Sequence, residues 1–344
     1  RQVTVKRALL VANPTAQSGR AMERIVRGRD GLATRGVQTE LLVTEPAGRS
    51  VATVTRRLDA EHFDAVVAMG GDGTFAEAAK GILAALRSVP LALLPAGTAN
   101  DQARSLGIPV DGDLGAALDV ACAGHLTHLD VGEVQRLEGG RPVDEQLFFD
   151  SVGFGFQAEV LKKRGEDRER VEQVPLLRDL YRDYAVYAGA LLDSYLKSFI
   201  EPTKMTAEVV ADGRTVVLDS VIDVIVKNTA VYGGAWVLAR DGHPDDGRME
   251  VVPFVGRREL VSKMLTDLSV LPPLEEGLDI LGVERSRSFS ASHLEIVLRR
   301  AGRPQVCAQI DGEPWCEGNH FRVNVVANLL DVVTPASFAP SWRA

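Results

Sequence analysis

Three glycines surround an acidic side chain in Gly70-Gly71-Asp72-Gly73-Thr74, after the apolar residues 65–69 and before a helical pattern over residues 75–88. A strand, a glycine turn and a helix in this order can present bare backbone N–H groups to a phosphate. The glycines also leave no Cβ in the path of an anion. Asp72 would repel that anion unless a cation lies between them, so the motif indicates Mg²⁺ together with a nucleoside triphosphate. For this pentapeptide alone, an ordinary strand-to-helix turn is the alternative.

A second acidic turn, Asp311-Gly312-Glu313, follows the strand-like residues 306–310. A carboxylate placed there can accept the proton of a hydroxyl group while that group attacks a phosphate. Asp-Gly also forms plain turns, and the pair occurs at residues 111, 212 and 241 as well. In isolation a plain turn is the favoured interpretation of this segment, whereas together with the upstream motifs a catalytic role for Asp311 is favoured, and an exchange of roles with Glu313 stays open.

The elements that must position these residues change in type along the chain. Apolar strand patterns at residues 7–12, 39–43, 65–70 and 91–94 alternate with helical patterns that include residues 50–58 and 113–123. This alternation predicts a Rossmann-like, doubly wound α/β domain with a parallel sheet. Ligands of such sheets bind outside the carboxyl ends of the strands. The loops that would gather at this edge contain Asn13-Pro14, Thr44, Gly70 to Thr74, and Gly97 to Asp101.

Short alternating segments dominate after residue 129 and predict an antiparallel β-sandwich domain. The predicted strands of this half cover residues 146–151, 205–210, 215–218, 221–227, 248–254, 293–298, 306–310 and 321–326. Residues 162–172 are charge-dense and favour a loop, and residues 176–199 have a helical period. We therefore expect an α/β domain over residues 1–129 and a β-rich domain over 130–344, with the last ~15 residues packing back on the first domain.

Composition excludes several classes of protein. A net charge of −8 argues against general nucleic-acid binding, since no basic excess is present. Three sparse cysteines indicate reduced thiols in the cytoplasm, and no apolar run approaches the ~20 residues that cross a bilayer. The first residues are typical of a strand lead-in and not of a signal peptide. The expected location is cytoplasmic, with peripheral contact to membrane.

The ordered motifs resemble the diacylglycerol kinase catalytic-domain family, which includes bacterial soluble diacylglycerol kinases, YegS-like lipid kinases and sphingosine kinases. The motifs that carry the resemblance are Asn13-Pro14, Gly70 to Thr74, Pro95-Ala96-Gly97-Thr98-Ala99-Asn100-Asp101, Leu129-Asp130-Val131-Gly132, Asp245-Asp246-Gly247 and Asp311-Gly312-Glu313-Pro314. The first glycine motif alone is shared with NAD kinases and phosphofructokinases. The resemblance implies an NAD kinase/diacylglycerol kinase-like fold and a lipid substrate.

The resemblance also implies roles for single residues. The implied ATP site contains Asn13, Thr44, Gly70, Gly71, Asp72, Gly73, Thr74, Phe75, Ala76, Gly97, Thr98 and Asn100. Asp72, Asp101 and Asp130 would hold a catalytic Mg²⁺, largely through water. A second, structural Mg²⁺ would take the carboxylate of Asp246 and the backbone carbonyls of His243 and Arg248. The chain departs from the family at Asp150, where asparagine is frequent, at Ala235 and at His243.

These observations predict an ATP- and Mg²⁺-dependent kinase that phosphorylates the hydroxyl group of diacylglycerol or of a sphingoid-type lipid. Asp311 is its expected general base and Glu313 lies beside it. A homodimer is possible. The alternatives are an NAD kinase-like enzyme for a small molecule and a nucleotide-binding regulatory protein without catalysis.

Overall fold

The structure is a computed structural model. It describes residues 2–14, 21–45, 48–110, 114–171, 203–234, 236–239, 241–256, 259 and 287–336. The chain divides into two compact units. Unit 1 contains Arg1–Leu129 and Asn328–Ala344, and unit 2 contains Asp130–Ala327.

Unit 1 is built on a parallel sheet with the strand order β2-β1-β3-β4. Its elements are β1 (Arg7–Ala12), α1 (Ala21–Thr34), β2 (Gln38–Val43), α2 (Ser50–Ala60), β3 (Ala65–Gly70), α3 (Asp72–Ala84), β4 (Leu91–Pro95), α4 (Asp101–Ser105) and α5 (Leu114–Ala123). Every residue of β3 is buried, as are the last five of β1. This matches the continuous apolar runs of strands that are covered on both faces. The helices pack in pairs, α1 with α5 and α2 with α3.

The chain returns to unit 1 at its far end. The long strand β18 (His320–Val333) passes from unit 2 into unit 1, where Val332 pairs in parallel with Leu91 of β4. Val332 and Val333 are fully buried, and the N–H of Thr334 donates to the carbonyl of His125 over 2.9 Å. The end of β18 therefore completes the core of unit 1.

Unit 2 is mostly antiparallel. Its remaining elements are β5 (Leu126–Glu138, from Asp130 on), β6 (Arg141–Phe148), β7 (Ser151–Gly155), α6 (Phe156–Val171), β8 (Met205–Ala211), β9 (Arg214–Val221), β10 (Asp223–Lys227), β11 (Val231–Tyr232), β12 (Trp236–Val237), β13 (Met249–Phe254), β14 (Phe289–Ala291), β15 (His293–Arg300), β16 (Val306–Ile310) and β17 (Glu313–Gly318). One sheet has the order β14-β13-β10-β7-β16-β17, and β18, β15, β8 and β9 are neighbours in another.

One apolar cluster contains buried residues of both sheets. Phe154 and Val224 come from the first sheet, and Ile296 and Phe321 come from the second. The rings of Phe154 and Phe321 lie with their centroids 4.6 Å apart. Facing sheets with a shared apolar layer make a β-sandwich. A second cluster includes Phe156 of α6 together with Ile225 and Phe254 of the first sheet, so α6 covers that sheet.

Several local predictions differ from the structure. The predicted strand at residues 146–151 is the end of β6 and the start of β7, and the two strands are separated by Phe149 and Asp150. The loop predicted at residues 162–172 is wrong up to Val171, because this segment is the continuation of α6. The helix predicted at residues 176–199 lies outside the described residues. None of the helices described in the structure has the length and apolar character needed to cross a membrane.

Candidate active site

The carboxyl ends of the unit 1 strands are tied together by their own backbones. The N–H of Asn13 donates to the carbonyl of Met69 over 3.2 Å, and the N–H of Thr44 donates to that of Ala12 over 2.9 Å. The N–H of Ala96 donates to the carbonyl of Gly70 over 2.8 Å. The loops predicted to gather at one edge therefore begin side by side at that edge.

The two glycine-containing loops touch through backbone atoms at Gly71 and Gly97. A Cβ on Gly97 would lie 2.2 Å from the Cα of Gly71, and a Cβ on Gly71 would lie 3.0 Å from the Cα of Gly97. The 2.2 Å distance is closer than real Cβ atoms approach backbone, and the 3.0 Å distance is tighter than most such contacts. Glycine at both positions therefore permits the loops after β3 and β4 to pack against each other.

Asn100 shapes the second loop. It has a left-handed backbone with φ of 54°, and its amide oxygen accepts the N–H of Gly97 while its amide nitrogen donates to the Gly97 carbonyl, both over 3.0 Å. Asparagine tolerates this conformation better than most residues. The loop is thus closed on itself before α4 begins at Asp101.

Asp72 joins the two loops. It is the first residue of α3, and its Oδ1 accepts the N–H of Gln102 in α4 over 3.0 Å. The residue before it, Gly71, has no side chain to cap α3. The first turn of a helix carries N–H groups without intrahelical partners and a partial positive charge. The start of α3 therefore suits the binding of an anion. Asp72 accepts the Gln102 N–H, and its negative charge would require a cation between it and that anion.

The other residues of the implied ATP site fall into two groups. The side chains of Thr74 and Phe75 are buried in unit 1, so these residues can offer a ligand mainly their backbone. Gly73, Ala76 and Thr98 are more accessible, whereas Asp101, an implied Mg²⁺ ligand and not part of the ATP site, is nearly buried at the start of α4. Gly70, Gly71, Asp72, Phe75 and Asn100 line one small pocket at this edge.

Asp311 lies in unit 2 between β16 and β17 with a left-handed backbone, φ of 49°. Its carboxylate accepts the N–H groups of Phe149, Asp150 and Ser151 at distances of 2.8–3.1 Å. Its own N–H donates to the carbonyl of Ser151 over 2.8 Å. Desolvation and the neighbouring carboxylate of Asp150 raise the pKa of Asp311 to about 6, against the lowering effect of the three N–H groups. Glu313 is exposed at the start of β17.

Sequence reasoning missed the residues behind Asp311. The ammonium group of Lys227 donates to the carboxylate of Asp150, and the hydroxyl of Thr229 donates to the same oxygen. Both side chains are 1% exposed. Two features of the sequence could have indicated them. Lys227 directly follows the apolar residues 224–226, and Asp150 departs from the family pattern.

Asp130 contacts the Asp245-Asp246-Gly247 loop within unit 2. Its Oδ2 accepts the N–H of Gly247 over 2.6 Å, and its own N–H donates to the carbonyl of Pro244 over 2.7 Å. Asp246 accepts the N–H of Arg248 over 2.9 Å. Desolvation raises the pKa of Asp246, and the negative charges of Asp130 and Asp245 raise it further, although the Arg248 N–H and His243 oppose this.

These acidic groups differ in how well they fit a metal. Asp130 and Asp246 are oxygen donors whose mutual repulsion a hard cation would relieve, so the loop fits Mg²⁺. Within the described part of the chain, no group of three or more His, Cys, Asp or Glu residues is arranged to hold a metal directly. Asp72 and Asp101 in unit 1, and separately Asp130 in unit 2, would each need water or phosphate to complete the ligands of Mg²⁺.

Comparison with known proteins identifies relatives of the first part of the chain. A family model described as the diacylglycerol kinase catalytic domain matches residues 7–134. Diacylglycerol kinases of Staphylococcus saprophyticus and Staphylococcus aureus MRSA252 are 33% and 34% identical over 129 residues, which is 38% of this chain. The matches span 41% and 40% of those proteins, so the chain covers about two fifths of the length of these relatives. The predicted family resemblance is confirmed over residues 7–134.

Two solved structures are similar to this chain in fold. A Bacillus anthracis structure described as a diacylglycerol kinase aligns with a TM-score of 0.67 at 17% identity, covering 97% of this chain and 99% of its own. The yeast NADH kinase complexed with NADH aligns with a TM-score of 0.51 at 13% identity, covering 96% and 83%. The predicted fold class is confirmed.

Proposed function

We propose, for a chain whose residues 7–134 belong to the diacylglycerol kinase catalytic-domain family, that it transfers the γ-phosphoryl group of ATP to the hydroxyl group of a lipid. Diacylglycerol and sphingoid-type lipids are the favoured acceptors. The observation that carries the proposal is the joined pair of loops at Gly71, Asp72 and Gly97 on the carboxyl edge of a parallel sheet.

Nucleotide binding uses the backbone of unit 1. The uncapped start of α3 offers N–H groups to phosphate oxygens, and the glycines keep side chains out of the approach. Asp72, Asp101 and Asp130 would hold the catalytic Mg²⁺ through water, and Asp246 with the carbonyls of His243 and Arg248 would hold a structural one. When bound by these residues, Mg²⁺ would supply positive charge against the phosphates.

The acceptor is activated by Asp311. The lipid oxygen forms a bond to the γ-phosphorus, the bond from that phosphorus to the β–γ bridging oxygen breaks, and ADP leaves. The hydroxyl proton passes to the Asp311 carboxylate. A pKa of about 6 keeps this carboxylate mostly ionised at neutral pH while leaving it more basic than an ordinary aspartate. Glu313 is the alternative acceptor of the proton.

The fold of the yeast NADH kinase gives a second candidate, a kinase for a soluble hydroxyl compound. One assay separates the two. The purified protein is incubated with radiolabelled ATP and Mg²⁺, with diacylglycerol or sphingosine in detergent micelles, or with NAD⁺ or NADH. We expect label in a lipid product only. Label in a dinucleotide would replace the proposal by the second candidate, and ATP binding without any labelled product would indicate a regulatory protein.

A further inference from the structure

The turn that receives Asp311 is itself fixed by buried side chains. Asp150 lies in this turn, and its carboxylate contacts side chains at the end of β10. It accepts the ammonium of Lys227 over 2.5 Å and the hydroxyls of Thr229 and Ser151. Asp150 is 5% exposed and Lys227 is 1% exposed. The ion pair is therefore desolvated on both sides.

The end of β10 also holds the backbone of the turn. The N–H of Asn228 donates to the carbonyl of Asp150 over 2.8 Å, and its side-chain amide donates to the carbonyl of Phe149 over 3.0 Å. Lys227 is anchored in turn by the carbonyl of Val231 over 2.8 Å, and its ammonium lies 5.1 Å from the centre of the Tyr232 ring. The end of β10 thus binds the turn through the Asp150 side chain and through the carbonyls of Phe149 and Asp150.

A buried ion pair is weak evidence for stability, because desolvation offsets much of the attraction between the charges. The clearest effect of this ion pair is on the orientation of the turn. With the Asp150 side chain drawn toward Lys227, the peptide N–H groups of the turn point at Asp311, where they bond its carboxylate. Lys227 also balances the charge of Asp150, which would otherwise stand uncompensated next to a second carboxylate.

We propose that the Asp150–Lys227 ion pair is a positioning device for Asp311: it holds the Phe149–Ser151 turn so that three N–H groups fix the Asp311 carboxylate. The proposal rests on the proposed role of Asp311 as proton acceptor. Asp150 and Lys227 act through Asp311 and touch no reacting atom themselves. Neither residue belongs to the site derived from the sequence.

The first test needs no activity. Amide hydrogen exchange of peptides covering residues 149–151 is measured by mass spectrometry in the wild type, in Lys227→Met and in Asp150→Asn/Lys227→Met. Lys227→Met leaves a buried carboxylate without its partner, so exchange should become at least about tenfold faster, and the double variant should recover part of this protection. Thr229→Val, which removes one hydroxyl from the same carboxylate, serves if Lys227→Met does not fold. Unchanged exchange in the folded variants overturns the proposal.

The second test is kinetic. We expect kcat of Lys227→Met to fall by at least about tenfold with KM for ATP unchanged, because the nucleotide loops are not part of the network. In an Asp311→Asn background the same substitution should change the residual rate less than about twofold. Val209→Ala in β8 is the control for lost stability alone, since Val209 is buried outside the network, and it should leave kcat unchanged. Additive losses in the Asp311→Asn background would overturn the positioning role.

The two proposals fail separately. A wild type that phosphorylates no acceptor rejects the lipid kinase function, while the exchange experiment still decides whether the ion pair fixes the Asp311 carboxylate. An active wild type with unaltered exchange and kcat in Lys227→Met rejects the positioning role and leaves the kinase function standing.

Discussion

Opposing influences set the pKa of Asp311 at a value that suits a base at neutral pH. Three N–H groups favour its charged form, whereas desolvation and the charge of Asp150 disfavour it, and the net result is a pKa raised to about 6. Below that value the carboxylate is protonated and cannot accept a proton. If Asp311 is the base, kcat/KM for the lipid must therefore rise with pH and level off above about 6.

Asp311→Asn keeps the shape of the side chain and removes its basicity. We expect kcat to fall about 10²–10⁴-fold, the usual range for the loss of a positioned base, with little change in ATP affinity. The rise of kcat/KM through pH 6 should disappear as well. Stopped-time assays from pH 5 to 8 measure both effects. Glu313→Gln is the matched comparison, and a larger loss there would transfer the role to Glu313.

Asp72 is predicted to have two separable roles. Its Oδ1 accepts the Gln102 N–H, which an asparagine can also do, whereas only the charged side chain attracts Mg²⁺. Asp72→Asn should therefore keep thermal stability and lose Mg²⁺-dependent ATP binding. Asp72→Ala should lose both, with a stability cost of about 0.5–2 kcal/mol, as for a removed helix cap. Calorimetric titration with MgATP and thermal melts distinguish the variants, and normal MgATP affinity in Asp72→Asn would remove the metal role.

Candidate residues within local motifs could be predicted from the sequence, whereas contacts between distant residues could not. The motifs identified Asp72 and Asp311 because strand ends and turns can be recognised locally. The Lys227–Asp150 pair joins residues 77 positions apart, and only the fold brings them together. In the same way, no local pattern predicts that Asp130 accepts the N–H of Gly247.

At the scale of elements, the loops after β3 and β4 can pack against each other because both have glycine at the point of closest approach. Gly97→Ala would place a methyl group against the backbone of Gly71, and backbone cannot move aside as a flexible side chain can. We expect a loss of about 1–3 kcal/mol in stability, typical of overpacking, and weakened ATP binding. Gly73→Ala is the control, since nothing lies within 4 Å of its Cβ. A melting temperature of Gly97→Ala equal to that of Gly73→Ala would contradict the packing argument.

A Mg²⁺ ion in the Asp245-Asp246-Gly247 loop would change the thermal stability of the protein. Without metal, Asp246 faces the like charges of Asp130 and Asp245, so Asp246→Ala should melt no lower than the wild type in chelator. With Mg²⁺ the wild type should melt higher, because an ion bound only to the folded state adds stability by mass action. The variant should gain less. Equal gains in thermal melts of both proteins would exclude a site at Asp246.

Most strands and helices could be predicted, and the errors have physical causes. Strands β1 and β3 are continuous apolar runs with clear ends, so their bounds follow from the sequence. Residues 162–171 are charge-dense and therefore resemble a loop in composition, although their backbone continues the helix α6. The turn between β6 and β7 is hidden because Phe149 is apolar and Asp150 is buried in an ion pair.

At the scale of the molecule, the first unit is discontinuous in sequence. Its parallel sheet is made from the first part of the chain, and its last strand segment comes from residues after 328. The family match covers residues 7–134 only, whereas the similarity in fold to the Bacillus anthracis structure extends over nearly the whole chain. Sequence similarity therefore identifies the part with the glycine loops, and the fold alone relates the rest.

This discontinuity predicts how fragments behave. Residues 1–129 alone lack Leu330, Val332 and Val333, which are buried in the whole chain, and leave β4 paired with β3 but without β18 on its other side. Burial of each such side chain contributes about 1.5–3 kcal/mol, and an unpaired apolar strand edge promotes aggregation. We expect the fragment 1–129 to aggregate or to unfold at much lower urea concentration than a fusion that appends residues 328–344 through a flexible linker.

The fusion is feasible because β5 pairs with β18, and because Thr127 and Thr334 share a hydrogen bond of 2.7 Å within unit 1. Gel filtration and urea melts followed by circular dichroism compare the fragment and the fusion at equal concentration. A control fusion with Val332→Asp and Val333→Asp places charges in the core and should behave like the short fragment. If residues 1–129 alone prove as stable and monomeric as the fusion, the end of β18 is dispensable for the core of unit 1, and the discontinuous unit is wrong.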